Sequence, residues 1–218
     1  MEITIHRALS QLKTTQARIE DRFSKDIYIS STIGKTGMAE GRPVDAVERE
    51  IRSNYDSMCQ LLRNFETLKL AIIRSNSGIT EESTNIRTGE VDGRQMTVAE
   101  AIAIQKYVLP FWSRFVGHLE AQLNETKRSV ETANNQANRE ISSMLDTFSN
   151  KDSKNLDQAQ VNTITEAYQQ NKFRRLVDPL ELVRKIDKLH HQIDELAVSV
   201  DAFLSESNAI SHITVELS

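Results

Sequence analysis

The sequence is poor in the residues that staple or punctuate a chain. Among its 218 residues are one cysteine, three prolines and seven glycines. With Cys59 alone no disulfide forms within the chain, and nothing points to an oxidising compartment. Scarce proline and glycine exclude a sandwich or barrel, whose short strands need frequent turn residues, and leave room for long helices. No run approaches the roughly 20 apolar residues of a membrane span, and the start Met1-Glu2-Ile3-Thr4-Ile5-His6 has no basic segment leading into an apolar one. A cytoplasmic location without a membrane partner is therefore expected. The net charge of −4 gives no reason to expect a nucleic-acid partner, which needs clustered positive charge.

What is present is helical periodicity. In 5–23 the apolar residues Ile5, Leu9, Leu12, Ile19 and Phe23 fall on one stripe. The segment 26–33 alternates around Ile27 and Ile29 and reads as a short strand, and Gly34, Gly37, Gly41 and Pro43 mark a loop. A second helix is predicted over 43–75, with the stripe Val44, Val47, Ile51, Met58, Leu62, Phe65, Leu68 and Ile72. Asp92-Gly93 is a hairpin-turn signal between short polar strands.

Thr97-Val98-Ala99-Glu100 forms a capping box ahead of the clearest pattern in the chain. Val98, Ile102, Gln105, Leu109, Trp112, Val116, Leu119, Leu123, Thr126, Val130, Ala133 and Ala137 alternate spacings of four and three, a period of about 3.5 residues that marks a coiled-coil seam. Pro110 within it predicts a kink about one turn upstream. The stretch 122–171 contains 14 Asn or Gln and two aromatics, so it is expected to project as an arm or to pair with another copy, with its tip at 150–155 and a return over 156–170. Asp178-Pro179 predicts the start of a last helix, striped by Leu182, Ile186, Leu189, Ile193, Leu196, Val200 and Phe203. A short C-terminal strand is expected at 212–217, with 26–33 as one available partner. The expected fold is mainly α: a helical bundle with long antiparallel coiled-coil helices, a projecting helical arm and a small β element. The corresponding domains are a helical core of 1–123 and 172–218, and an inserted polar arm of 124–171.

Catalytic chemistry is hard to assemble from these residues. Gly34-Lys35-Thr36 lacks the glycine five positions earlier that a P-loop requires, since Ile29 stands there. Ser10-x-x-Lys13 with Lys35-Thr36-Gly37 supplies only two of three penicillin-binding motifs. His190 and His191 are neighbours and point to different helix faces, so they do not share a metal. No enzyme activity, cofactor or metal is expected. Cys59, among apolar helix positions, reads as a buried thiol.

Binding has better candidates. Arg74-Ser75-Asn76 and Ser207-Asn208 each follow an apolar helix end, and Arg42 and Thr80 lie by loops whose free amides beside an arginine suit phosphates. Asn at a helix end also suits a plain stop signal. Trp112 reads as core at a seam position, or with Arg114 as a stacking platform for a flat ligand. The candidate ligand-binding residues are Arg42, Arg74, Asn76, Thr80, Trp112, Arg114 and Asn208.

Four segments carry a family likeness: 5–13 (Ile5-His6-Arg7-Ala8-Leu9-Ser10-Gln11-Leu12-Lys13), 69–76 (Lys69-Leu70-Ala71-Ile72-Ile73-Arg74-Ser75-Asn76), 96–102 (Met96-Thr97-Val98-Ala99-Glu100-Ala101-Ile102), and the C-terminal helix with Asn208 and a closing Thr-Val-Glu-Leu. Through them the chain resembles small helical septicolysin-like proteins and uncharacterised proteins of phages of Gram-positive bacteria. The resemblance covers 1–123 and 172–218. It implies a helical fold, homo-oligomerisation and a phage origin, hence a host-cell cytoplasm, and it carries no catalytic residues. The expected function is a non-enzymatic, self-assembling protein that binds and sequesters a small anionic, nucleotide-like host signalling molecule between subunits, an anti-defence role. The alternative is a structural or assembly component of a phage particle.

Overall fold

The computed structural model describes residues 3–34, 37–39, 41–76, 88–151 and 157–210. The chain is mainly helical, with a small antiparallel sheet and a separate hairpin. Helix α1 spans Ile5–Lys25 and is followed by β1 (Ser30–Ile33), β2 (Met38–Ala39) and β3 (Arg42–Pro43). Next come α2 (Val44–Asn76), β4 (Thr88–Val91), β5 (Arg94–Thr97), α3 (Val98–Ala103), a π-helical turn at Ile104–Val108, and α4 (Leu109–Lys151). The described chain ends with α5 (Gln158–Lys172), β6 (Arg174–Val177) and α6 (Leu182–Ala209). Residues 152–155 of the predicted arm tip and 156 of its return lie outside the described residues, as do Lys35, Thr36, Thr80 and the predicted strand at 212–217.

Two compact units divide the chain. The first comprises Met1–Lys25, Asp56–His118 and Val183–Ser218, and the second Asp26–Tyr55 and Leu119–Leu182. These cuts fall at different places from the core and arm drawn by composition.

The second unit holds the four-stranded sheet, ordered β3-β2-β1-β6, all antiparallel. β1 lies between β2 and β6 in that sheet. The strand itself is shorter than predicted, starting at Ser30, and Tyr28 and Ile29 are buried ahead of it. Two amide side chains of α4 close the backbone around the sheet. Gln122 accepts from the Tyr28 amide and donates to the Asp26 carbonyl, both at 2.8 Å. Asn134 accepts from the Arg174 amide at 2.7 Å and donates to the Arg174 carbonyl at 3.1 Å. Each side chain thus takes the place of a strand neighbour, so backbone groups beside the sheet keep their partners. Helix α5 buries no residue and starts with a capping box of Asp157 and Gln160. Tyr168 on α5 donates to the carboxylate of Glu140 on α4.

In the first unit Val91, Met96, Ala101, Ile104, Val108, Leu109 and Val200 form a buried cluster, with Leu70, Trp112, Ile193, Leu196 and Phe203 packed against it. The stripe of α6 is buried or half-buried along its length, as its spacing predicts. The α3–α4 stripe is buried or half-buried from Leu109 to Ala137, but not as drawn upstream of it. Ile102 and Gln105 are exposed, and Ala101, Ile104 and Val108 are buried instead. The π-helical turn explains the difference, because its wider ring inserts one residue and rotates the face upstream of it. It lies directly before Pro110, whose missing amide removes the bond an α-helix would require there. Helix α1 shows a similar offset. Ala8 and Ile19 are its buried residues, whereas Ile5 and Leu9, expected in the core, are 42% and 48% exposed.

Helix α6 starts at Leu182, three residues beyond Pro179. Asp178 accepts from the Leu182 amide at 2.9 Å, and Glu181 takes a left-handed φ of 54° to enter the helix. At the other end Ser207 and Asn208 lie in the last turn of α6, one residue short of its end at Ala209, and α2 ends at Asn76.

Candidate ligand-binding cleft

The cleft is built in the first unit from α2, the β4–β5 hairpin, α4 and α6. At the hairpin, Asp92 and Gly93 take φ values of 50° and 71°, the left-handed pair of a two-residue turn, and Gly93 makes that conformation inexpensive. The turn carries Asp92 and Arg94 on either side of its tip. On α2, Arg63, Glu66 and Thr67 share one face because three and four residues bring a helix round once. Leu109 and Trp112 come from α4, and Leu189, Gln192, Ile193, Glu195 and Leu196 from α6.

These residues enclose a cleft of about 500 Å³. Its floor is apolar, made of Leu109, Trp112, Leu189, Ile193 and Leu196, and its rim is polar. A cavity of a few hundred cubic ångström with an apolar floor and a few placed polar groups is the usual form of a small-molecule site. Trp112 is half-buried: it packs on the core cluster and lies 6.4 Å from the Phe115 ring. Trp112 therefore belongs to the core, as its seam position implies, and also lines the cleft.

Several rim charges are already engaged. Arg94 donates to Glu66 at 3.0 Å, and His191 Nδ1 lies 3.1 Å from Glu195. Arg63, Asp92 and Gln192 have no side-chain hydrogen-bond or ion-pair partner among the described residues. The cleft thus offers a free guanidinium, a free carboxylate and a free amide around an indole.

Other candidates from the sequence are placed elsewhere. Arg114 is turned away from Trp112: it bonds Glu20 at 2.7 Å and stacks 4.2 Å over the Phe23 ring, which also meets His118 edge-on at 5.5 Å. The expected Trp112–Arg114 pair is corrected accordingly, since two residues along a helix turn the side chain to another face. Arg42 belongs to the second unit and bonds Glu50 at 2.5 Å. Asn76 and Asn208 are exposed at helix ends, and Thr80 lies outside the described residues. Arg74 lines an adjacent hollow and donates through Nε to Glu100, a carboxylate only 1% exposed.

Sequence reading missed Arg63, Asp92, Arg94 and Gln192. The only local signals were the turn at Asp92 and the helix face holding Arg63. The convergence of these side chains depends on packing between segments about a hundred residues apart. Among the described residues no three His, Cys, Asp or Glu side chains group as metal ligands, and no helix is long and apolar enough to cross a membrane. No family model matches the chain, and neither a curated protein nor a solved structure matches it.

Proposed function

We propose that this chain is a non-enzymatic, self-assembling protein that binds and sequesters a small anionic, nucleotide-like molecule in the cleft at Trp112. The observation that carries the reading is the set of unengaged groups around that indole. A flat base stacks on Trp112, a phosphate pairs with Arg63, and Asp92 and Gln192 take the donors and acceptors of the base edge or sugar. An inorganic anion would use Arg63 alone, so a ligand bearing both negative charge and N–H or O–H donors fits the rim better. A phage origin and a signalling role for the ligand rest on the resemblance to septicolysin-like and phage helical proteins. Self-assembly rests on that resemblance and on Ile5 and Leu9, one turn apart on α1 and both exposed in the single chain. A second copy of the chain is the occupant proposed for that face, with the long helices pairing as antiparallel coiled coils.

Trp112 is the only tryptophan, so its emission reports directly on the cleft. Titration with AMP is expected to quench it saturably, and Arg63→Gln to weaken the binding about tenfold, the cost of one charge-assisted pair. Emission that stays constant through the titration sinks the assignment.

The rival reading, a structural component of a phage particle, draws on α5, which buries nothing along its length. Recovery of the protein from purified particles, with no AMP binding, favours it.

A further inference from the structure

A second hollow of about 540 Å³ adjoins the cleft, lined by Glu66, Thr67, Leu70, Ala71, Arg74, Ser75 and Arg94. The two share Glu66, Thr67 and Arg94, so the Arg94–Glu66 pair stands as the partition between them. We infer that the hollow receives the phosphate chain of the ligand, and that the site is built for a nucleoside polyphosphate. This rests on the binding reading above.

Three features support it. First, Arg63, Glu66, Thr67, Leu70, Ala71, Arg74 and Ser75 follow one another at helical spacing, so both compartments run along a single face of α2. Glu66 and Arg74 are eight residues apart, about 12 Å of helix, which leaves room for a phosphate chain laid along the axis.

Second, Arg74 is a prepared anion ligand. One Glu100 oxygen accepts from the Thr97 amide at 2.8 Å and from the Thr97 hydroxyl at 3.0 Å, and the other accepts from Arg74 Nε. Both oxygens of the buried carboxylate are thereby engaged, and it fixes the guanidinium through its Nε edge. The Arg74 side chain remains 58% exposed, and its two Nη groups have no partner among the described residues. Charge neutralisation of Glu100 accounts for the Nε bond alone. A free, oriented pair of Nη groups is the geometry that holds a phosphate by two parallel bonds.

Third, the partition itself offers a cation to both compartments. Glu66 is only 16% exposed and takes one Nη of Arg94, whereas the Arg94 side chain is 65% exposed, so its remaining N–H groups can meet a phosphate while the Glu66 bond is kept. Arg94 then faces the chain midway, with Arg63 at the nucleoside end and Arg74 at the far end.

The test is a comparison of AMP, ADP and ATP in metal-free buffer, read by Trp112 emission and calorimetry. Affinity is expected to rise with each phosphate, about tenfold or more from AMP to ATP. Ser75→Glu, which puts a negative charge on an exposed wall of the hollow, should bring the ATP:AMP affinity ratio close to one. So should the paired change Arg74→Gln with Glu100→Gln, which removes both charges and so leaves no carboxylate buried alone. ATP binding no tighter than AMP in the unaltered protein, or an ATP:AMP ratio unmoved by these variants, overturns the inference while the cleft at Trp112 stands. Absence of binding by all three nucleotides overturns the inference and the cleft together.

Discussion

Gln122 and Asn134 show why a count of amide residues was an incomplete guide to the chain. Abundant Asn and Gln in 122–171 reads as a solvated arm, yet these two side chains serve the backbone beside the sheet. That use is not legible locally, because the partners stand 94 and 40 residues away. The Thr97–Glu100 capping box, by contrast, was legible from four residues, since all its bonds close within one turn. Its further engagement with Arg74 was not, because 26 residues intervene.

Between α4 and α5, Glu140 and Tyr168 make a link whose pH dependence follows from its chemistry. The Tyr168 hydroxyl, then the Gln136 amide, hold the Glu140 carboxyl below its ordinary value, and Glu140 in turn raises the Tyr168 hydroxyl above its own. A depressed carboxyl contributes stability above its unfolded value, and that contribution is lost as pH falls through the lowered one. A raised phenol contributes below its unfolded value, and loses it as pH climbs through the raised one. The link is therefore complete at neutral pH and fails at both extremes. Tyr168→Phe should speed amide exchange in α5 at neutral pH, and the difference from the unaltered protein should close in strong acid. Equal exchange in the two proteins at neutral pH would remove the link from the account.

At the scale of elements, the helices with sustained stripes were legible and their exact faces less so. The stripe of α6 holds from Leu182 to Phe203 because nothing interrupts its hydrogen bonding. The stripe fails at Ile102 and Gln105 because one π-helical turn shifts the phase, and the shift stems from Pro110. Strand β6 went unread, since Arg174-Arg175-Leu176-Val177 owes its extended form to pairing with β1 rather than to alternation of its own.

The β4–β5 hairpin also fits α6 more closely than its loop-like composition suggests. A Cβ on Gly89 would lie 2.3 Å and 2.5 Å from two ring carbons of Phe203. Gly89→Ala should thus lower stability by about 1–3 kcal/mol, the usual cost of overpacking, as measured by the urea midpoint. Adding Phe203→Leu, which withdraws the ring, should recover part of the loss. A midpoint unmoved by Gly89→Ala would show that the hairpin is not seated on Phe203. It would also weaken the placement of Asp92 and Arg94 at the cleft.

For the whole molecule, composition carried the class and stopped there. Few prolines and glycines correctly indicated a mainly helical chain. The candidate site was legible at Trp112 and, by its neighbouring hollow, at Arg74. Its remaining members come together only through packing between distant segments, which periodicity does not encode. Self-assembly is argued from residues that the single chain leaves exposed, Ile5 and Leu9, and sequestration from groups without a side-chain partner among the described residues, Arg63, Asp92 and Gln192.

Both halves of that claim are tested together by native mass spectrometry of the protein purified without added nucleotide, first under gentle conditions and then after denaturation. The account predicts a defined oligomer that carries a small molecule of nucleotide-like mass and releases it on unfolding, with Leu9→Glu shifting the protein to monomer. A monomer that carries nothing, and gains no mass when AMP or ATP is added, would contradict it.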